Sequence, residues 1–426
     1  MKHLGPSLIL TANIVGSGEL IMTTTLGAKA GFVTLWVVIF SCLVKAAIQL
    51  EFGRHAIHSG ETTMRSFSNL PGIKIRGAGW GVWTWLTIKT FQSVQYGGIV
   101  GGVALALNIA FPSTPIWIWG AAAALLTIVL TISGSYRVVE KVAIFLVAGF
   151  SLFTLYSVVA LQSTDYAFVW ADIQEGMSFQ LPTAALGFAL AVFGVTGIGS
   201  DEIMSYPYWC LEKGYGKYTG TKETPGFETR AKGWVKVMYL DGLVSLFIYT
   251  VTTAAFYLLG ASILHEQGRI PEGYEMLSTI SNIYTESVGP QAKVIFIVGS
   301  VVTLFSTMFV GCASGIRMFS DAFAQIGWLD YNDLGQRKKW FRAMAIILPS
   351  IWFVLFVSFK VPVFLILLGA ISLSVLMILV VYAAIQFRYS ANLPKSLVPT
   401  RFYDLMLWLS ILATLGVGVK SVVGLF

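Results

Sequence analysis

The chain has 426 residues, 56% hydrophobic and 12% charged, with 28 Lys and Arg against 21 Asp and Glu for a net charge of +7; its mean hydropathy is +0.75. Soluble domains run at roughly 45–50% apolar and about 25% charged, so water is excluded as the main solvent and an integral membrane protein is implied. The basic excess calls for no nucleic acid: membrane topology and anionic lipid at the inner face account for it.

Apolar windows of about 20 residues, each long enough to cross roughly 30 Å of hydrocarbon, recur along the whole length. About eleven are predicted, at roughly 6–29, 32–53, 79–109, 115–134, 139–161, 183–209, 234–262, 289–318, 340–358, 361–387 and 404–425. The first follows Lys2, as a secretory signal would. It nevertheless carries Gly16-Ser17-Gly18-Glu19, runs on to Phe32 and has no small-x-small cleavage site, so it is read as a retained span. The gaps near 162–182, 210–233, 263–288 and 319–339 are loop-sized. The expectation is one all-α transmembrane domain over 1–426.

Orientation follows from Lys and Arg, which concentrate in cytoplasmic loops. With the N-terminus inside, those connections hold Arg54, Arg65, Lys74, Arg76, Arg137 and Lys141, then the run from Lys213 to Lys236, then Arg337, Lys338, Lys339 and Arg342, and last Arg388, Lys395 and Arg401. The opposite side has few basic residues, chiefly Lys29, Arg269, Lys293 and Lys360, and is acidic at Asp165, Asp172, Glu175, Glu266, Glu272, Glu275 and Glu286. An odd number of spans puts the C-terminus outside, in a plasma or bacterial inner membrane.

One short word occurs twice. Gly16-Ser17-Gly18-Glu19-Leu20-Ile21-Met22 lies in span 1 and Gly199-Ser200-Asp201-Glu202-Ile203-Met204 in span 6. Five spans separate equivalent positions, so the copies enter the membrane from opposite sides. This predicts a 5+5 inverted repeat of the LeuT type, with repeat one at about 6–161, repeat two at about 183–387, an extra helix at about 404–425 and discontinuous helices 1 and 6. Gly16, Gly18, Gly197 and Gly199 permit the breaks. Carbonyls freed near 14–15 and 196–198 are expected cation ligands, because lipid offers them no partner.

Carboxylates complete the expected site. Glu19, Asp201 and Glu202 open the second halves of the two spans, where the helix dipole favours the charged form. Grouped in low dielectric they need protons or a cation to neutralise them, which marks Glu19, Asp201 and Glu202 as metal ligands. The wider substrate-binding set is Gly16, Ser17, Glu19, Ile198, Gly199, Ser200, Asp201 and Glu202. The plainer reading is that these polar residues only pin two helices together. Met22 and Met204 lie within a turn of the carboxylates and read as packing residues that a swing could bring into the site.

Lys89, inside span 3, reads either as a fixed positive charge near the pathway or as a side chain snorkelling to the cytoplasmic face. Lys45 and Glu51 are expected to serve the cytoplasmic interface. Asp241 and Arg317 mark spans 7 and 8 with partners unassigned. Cys42, Cys210 and Cys312 are isolated and suggest neither disulfides nor a thiolate metal site. His55 and His58 have metal-compatible spacing but read as a solvated helix end. Gly97-Gly98-Ile99-Val100-Gly101-Gly102 reads as close helix packing.

The segment from Leu4-Gly5-Pro6-Ser7 to Gly27-Ala28-Lys29-Ala30-Gly31-Phe32 resembles the first span of the Nramp divalent-metal transporters and aligns with it without gaps. Further likeness lies at Ala104-Leu105-Ala106-Leu107-Asn108, at Gly194-Val195-Thr196 and at Arg342-Ala343-Met344-Ala345-Ile346-Ile347-Leu348-Pro349. The resemblance implies eleven spans, a LeuT-type repeat and an inward N-terminus. The site departs from the family pattern. Where the family has Asp-Pro-Gly-Asn, this chain has Gly16-Ser17-Gly18-Glu19. Where it has Met-Pro-His-Asn, this chain has Ile198-Gly199-Ser200-Asp201, or Gly199-Ser200-Asp201-Glu202 if the register slips by one. Tyr96 and Ile99 stand where the family places the acidic pair of its proton relay.

The expected function is therefore secondary active transport of a divalent metal cation, as substrate and not cofactor, by a monomer whose spans 1 and 6 rock against the scaffold. Loss of the thioether favours harder ions among Mg²⁺, Mn²⁺, Ca²⁺ and Fe²⁺. Proton symport is the expected coupling. Two alternatives stay open: a LeuT-type carrier of an amine or amino acid, with Lys89 balancing an acid, and a non-transporting cation sensor. No nucleophile, base and orienting group assemble, so an enzyme is not expected.

Overall fold

The computed structural model describes residues 5–16, 18–132, 136–271, 276–359, 362–391 and 393–423. Lys2, Leu4, Ser17, Glu272, Glu275 and Lys360, all used above, lie outside the described residues.

A helix, or a run of two or three helical segments, stands on each of the eleven windows. Span 1 is Pro6–Ile14, a π-helical stretch Gly18–Thr23 and Thr24–Ala30; span 2 is Leu35–Ser59; span 3 is Trp80–Gln92 with Val94–Ala110. Spans 4 and 5 are Ile116–Ile132 and Tyr136–Leu161. Span 6 is Leu186–Val195 with Ser200–Lys213, and span 7 is Phe227–Leu259 with a π-helical end at Gly260–Leu264. Spans 8 to 11 are Ala292–Gln325, Leu334–Phe359, Pro362–Arg388 and Arg401–Val423. Among the described residues, seven helical stretches are long and apolar enough to cross a bilayer, and Ile116–Ile132 and Ala148–Leu161 are shorter apolar helices.

Some helices overrun their windows. Span 7 begins at Phe227, span 8 ends at Gln325 and span 9 begins at Leu334. The overruns carry Arg230, Lys232, Asp321 and Arg337. Hydropathy ends where charge begins, whereas the backbone hydrogen-bond ladder continues into the aqueous layer. Among the described residues the one sheet is a hairpin, Lys74–Ile75 paired antiparallel with Ala78–Gly79. Large apolar side chains such as Phe145, Leu152, Val159, Phe247 and Leu412 are exposed. On a membrane protein these form the surface that meets lipid.

Both predicted breaks are present and they touch. Span 1 loses its helix after Ile14 and resumes with π geometry at Gly18, where the Thr23 Oγ1 hydroxyl donates to the Gly18 carbonyl at 3.1 Å. Span 6 stops at Val195 and restarts at Ser200, with Gly197 at φ +64°, a conformation side-chain-bearing residues rarely adopt. A Cβ on Gly18 would stand 2.9 Å from the Val195 carbonyl oxygen. The Thr23 and Thr196 hydroxyls meet at 3.1 Å.

Neighbouring spans fix both broken helices. Asp241 of span 7 accepts the Gly5 and Ser7 backbone N–H groups at 2.8 and 2.7 Å, satisfying donors that open span 1. Arg317 of span 8 holds Glu212 of span 6 through Nε and Nη2 at 2.6 and 2.8 Å. Thr307 of span 8 leaves no room for a Cβ on Gly16. Met22 and Met204 are fully buried in the apolar core, as are Cys42, Cys210 and Cys312, whose thiols are free.

Candidate functional site

The breaks free carbonyls, and side chains of neighbouring spans take four of the oxygens beside them. Ser306 Oγ donates to Ala12 O at 3.2 Å and Thr307 Oγ1 to Asn13 O at 3.4 Å. In span 6, Lys45 Nζ donates to Phe193 O and Thr196 O at 2.7 and 2.6 Å, and Ser41 Oγ approaches the same two oxygens at 2.9 and 3.0 Å. This corrects two expectations. The Thr196 carbonyl is not open to a diffusing cation, and Lys45 is not an interfacial residue but fully buried against the break. Glu51 is fully buried as well, where it pairs with Arg54 and accepts the Tyr403 hydroxyl at 3.1 Å, so the interfacial expectation fails for both residues.

Glu19 is also fully buried. Its Oε1 accepts the Gly197 N–H at 3.0 Å and the Thr253 hydroxyl at 3.3 Å, and its Oε2 faces the Gly16 N–H at 3.5 Å. One carboxylate thus caps backbone donors in both breaks.

Asp201 and Glu202 face a different space. Asp201 forms an ion pair with Lys89, whose Nζ also donates to Gln92 Oε1 at 2.6 Å. Lys89 is 3% exposed, so it does not snorkel to the membrane face. Glu202 accepts a hydrogen bond from Asn13 Nδ2. Asn13, Gln92, Gln95, Tyr96, Asp201 and Glu202 line a cavity of about 20 Å³, room for one water molecule or one bare ion. Two of its oxygens, Asn13 Oδ1 and Asp201 Oδ1, are buried without a hydrogen-bond partner among the described residues. Tyr96 stacks on Trp352 at 4.1 Å between centroids, and its ring centroid lies 5.4 Å from Lys89 Nζ.

The remaining expected residues shape the site without lining that cavity. Gly16 presses on Thr307, Ile198 is in the apolar core, and Gly199 precedes the restarted helix with its carbonyl accepting from Ile203 N at 3.1 Å. Ser200 Oγ donates to Leu373 O at 3.0 Å. Ser17 is outside the described residues. Among the described residues, no three Asp, Glu, His or Cys side chains are grouped to hold a metal. Glu19, Asp201 and Glu202 therefore do not form one carboxylate cluster. His55 and His58 do not form a solvated helix end: His58 is buried, and His55 stacks on Phe387 at 3.9 Å and meets Ser66 Oγ at 3.0 Å.

Sequence reasoning missed Asn13, Gln92 and Gln95 and misplaced Lys45. Their spacing carried a signal. Lys89, Gln92 and Tyr96 fall at i, i+3 and i+7, and Ser41, Lys45 and Gln49 at i, i+4 and i+8. Each is a polar stripe down one face of a helix in lipid, where such groups turn inward.

Two facing broken helices with buried charge at their breaks, set in a bundle of helical spans, define the architecture of LeuT-type membrane transporters. A crystal structure of a point mutant of the Eremococcus coleocola manganese transporter superposes with a TM-score of 0.69 at 16% identity, covering 98% of this chain and 85% of that one. The nucleobase-cation-symport-1 transporter Mhp1 follows at 0.59 and 13% identity, covering 98% and 92%, and MhsT in complex with L-phenylalanine at 0.54 and 13%, covering 99% and 98%. The family model described as "Natural resistance-associated macrophage protein-like" matches residues 7–424, so the chain belongs to the Nramp family of divalent-metal transporters. Uncharacterized protein PM0681 of Pasteurella multocida (strain Pm70) is 20% identical over 320 residues, which span 71% of this chain and 66% of that protein.

Proposed function

We propose that this protein is a secondary transporter of a small, hard divalent cation, held between spans 1 and 6 by Asn13, Asp201 and Glu202. The observation that carries the reading is the pair of unpartnered oxygens, Asn13 Oδ1 and Asp201 Oδ1, on residues lining a one-ion cavity. Buried polar atoms without partners are costly, so a site that retains them is built for an occupant. Its side-chain donors are carboxylates, amides and a phenol, the ligand chemistry of Mg²⁺, Mn²⁺ and Ca²⁺ more than of softer ions. Organic ligands occupy pockets of about 300–1,000 Å³. A cavity of about 20 Å³ argues against an amine or amino acid as cargo.

Lys89 supplies the exchange step in this reading. Its ammonium neutralises Asp201 while the site is empty, and the arriving cation displaces it. A doubly charged ion beside Asp201 and Glu202 with Lys89 still charged leaves an excess positive charge in low dielectric. Expulsion of one proton from the site as the ion enters would remove that excess and link transport to protons. Glu19, expected among the ligands, is assigned instead to holding the two breaks together. The N-terminus faces the cytoplasm of a plasma or bacterial inner membrane, supported by the Lys and Arg distribution.

Uptake of Mg²⁺, Ca²⁺, Mn²⁺ and Cd²⁺ into proteoliposomes at two external pH values tests this. Mn²⁺ flux that excess Mg²⁺ suppresses and that moves protons is the expected result. Absence of flux for every metal, or Cd²⁺ flux indifferent to excess Mg²⁺, rejects it.

A further inference from the structure

The first half of span 6, Leu186–Val195, ends inside the membrane with carbonyls that no following turn can satisfy. A helix C-terminus carries partial negative charge, and in lipid its freed oxygens need a cation or a donor. Span 2 delivers one. Lys45 Nζ lies 2.7 Å from Phe193 O, 2.6 Å from Thr196 O and 5.1 Å from the centroid of the Phe193 ring. No carboxylate pairs with Lys45 among the described residues; its hydrogen bonds go to these two carbonyls alone. Two backbone carbonyls at a helix end, with Ser41 Oγ beside them at 2.9 and 3.0 Å, make the kind of oxygen environment that holds an alkali ion at a helix break.

We propose that the Lys45 ammonium is a tethered cation filling the ion site that the span 6 break creates. The protein therefore carries out its cycle with no monovalent metal ion bound there, and Lys45 fixes the break against which Asp201 and Glu202 are positioned. This goes beyond the transport reading above. It rests on that reading only for the word cycle, since site occupancy shows in stability whether or not a metal is carried.

The test is thermal unfolding of the purified full chain in detergent, in choline chloride and then with NaCl, KCl or n-propylammonium chloride. Wild type should unfold at one midpoint in all four. Lys45→Ala, which removes the charge and opens the space, should unfold lower in choline and regain at least half the loss with an alkali cation or propylammonium. Lys45→Met, which fills the space without charge, should regain little. A wild-type midpoint raised by Na⁺ or K⁺ overturns the proposal, and so does a Lys45→Ala midpoint that no monovalent cation restores. If Lys45→Ala yields no folded protein, Lys45→Arg and wild type decide: ion-independent midpoints in both support the proposal, and an alkali-ion requirement in either overturns it. Failure of metal uptake leaves these readouts intact and strikes only the cargo.

Discussion

The Glu19 carboxylate accepts the Gly197 backbone N–H at 3.0 Å, tying the break of span 1 to the break of span 6. The same side chain faces Gly16 N and Thr253 Oγ1. Removing it strands two buried N–H donors, each worth about 1–3 kcal/mol when unsatisfied. Glu19→Ala should therefore lower the thermal midpoint in detergent, whereas Glu19→Gln, which keeps a carbonyl acceptor, should unfold closer to wild type. Equal losses in both would show that charge, not capping, is what Glu19 supplies.

Gly197 sits at φ +64°, and a Cβ there would lie 3.0 Å from Cys42 Cα. Left-handed backbone costs a side-chain-bearing residue about 1–3 kcal/mol. Gly197→Ala is expected to destabilise by at least that much, and Gly187→Ala, at a position with open space around its Cα, should change the midpoint little. Comparison of the two melting curves checks this.

Lys89 and Asp201 are each at most 5% exposed, and breaking a buried ion pair from one side costs about 3–5 kcal/mol. Lys89→Met and Asp201→Asn should each destabilise strongly, while the double variant should recover much of the loss. A double-mutant cycle on unfolding midpoints reads the coupling. Additive losses would mean that the two groups act independently.

Outside the membrane, hydrogen bonding to His55 holds the Glu61 carboxyl below its ordinary 4.5. Ser66 Oγ and Asn69 Nδ2 also donate to it, each at 3.2 Å. A lowered folded-state value means that ionised Glu61 stabilises the turn after span 2. That contribution is complete above about pH 4.5 and fades as pH falls through the lowered value. Glu61→Gln should lower stability at neutral pH, where the ionised carboxylate contributes, and converge on wild type in acid, so that the acid side of its profile is flatter. An unaltered acid limb would remove Glu61 from the account.

The fold was largely legible because lipid enforces simple rules. Apolar windows located the spans, and the repeated Gly-Ser-x-Glu words located both breaks. The motif did not reveal that Glu19 turns back onto the freed N–H groups of Gly197 and Gly16, because a linear pattern cannot tell whether a carboxylate after a break faces the cavity or the backbone. Lys45 failed for a related reason. Its place near the cytoplasmic end of span 2 suggested an interface, but the oxygens it meets belong to Phe193 and Thr196, 148 and 151 residues away. Asn13 and Gln92 were passed over because uncharged amides stand out less than carboxylates, although a helix in lipid has equal reason to turn them inward.

The central claim is that cargo binds between Asn13, Asp201 and Glu202 and not at Glu19. Anomalous diffraction from crystals soaked in Mn²⁺ tests it most directly. A single peak at about 2.0–2.3 Å from Asn13 Oδ1 and an Asp201 or Glu202 oxygen, lost in Glu202→Gln and kept in Glu19→Gln, is the predicted result. A peak ligated by Glu19, or one that survives Glu202→Gln in the same place, would contradict it.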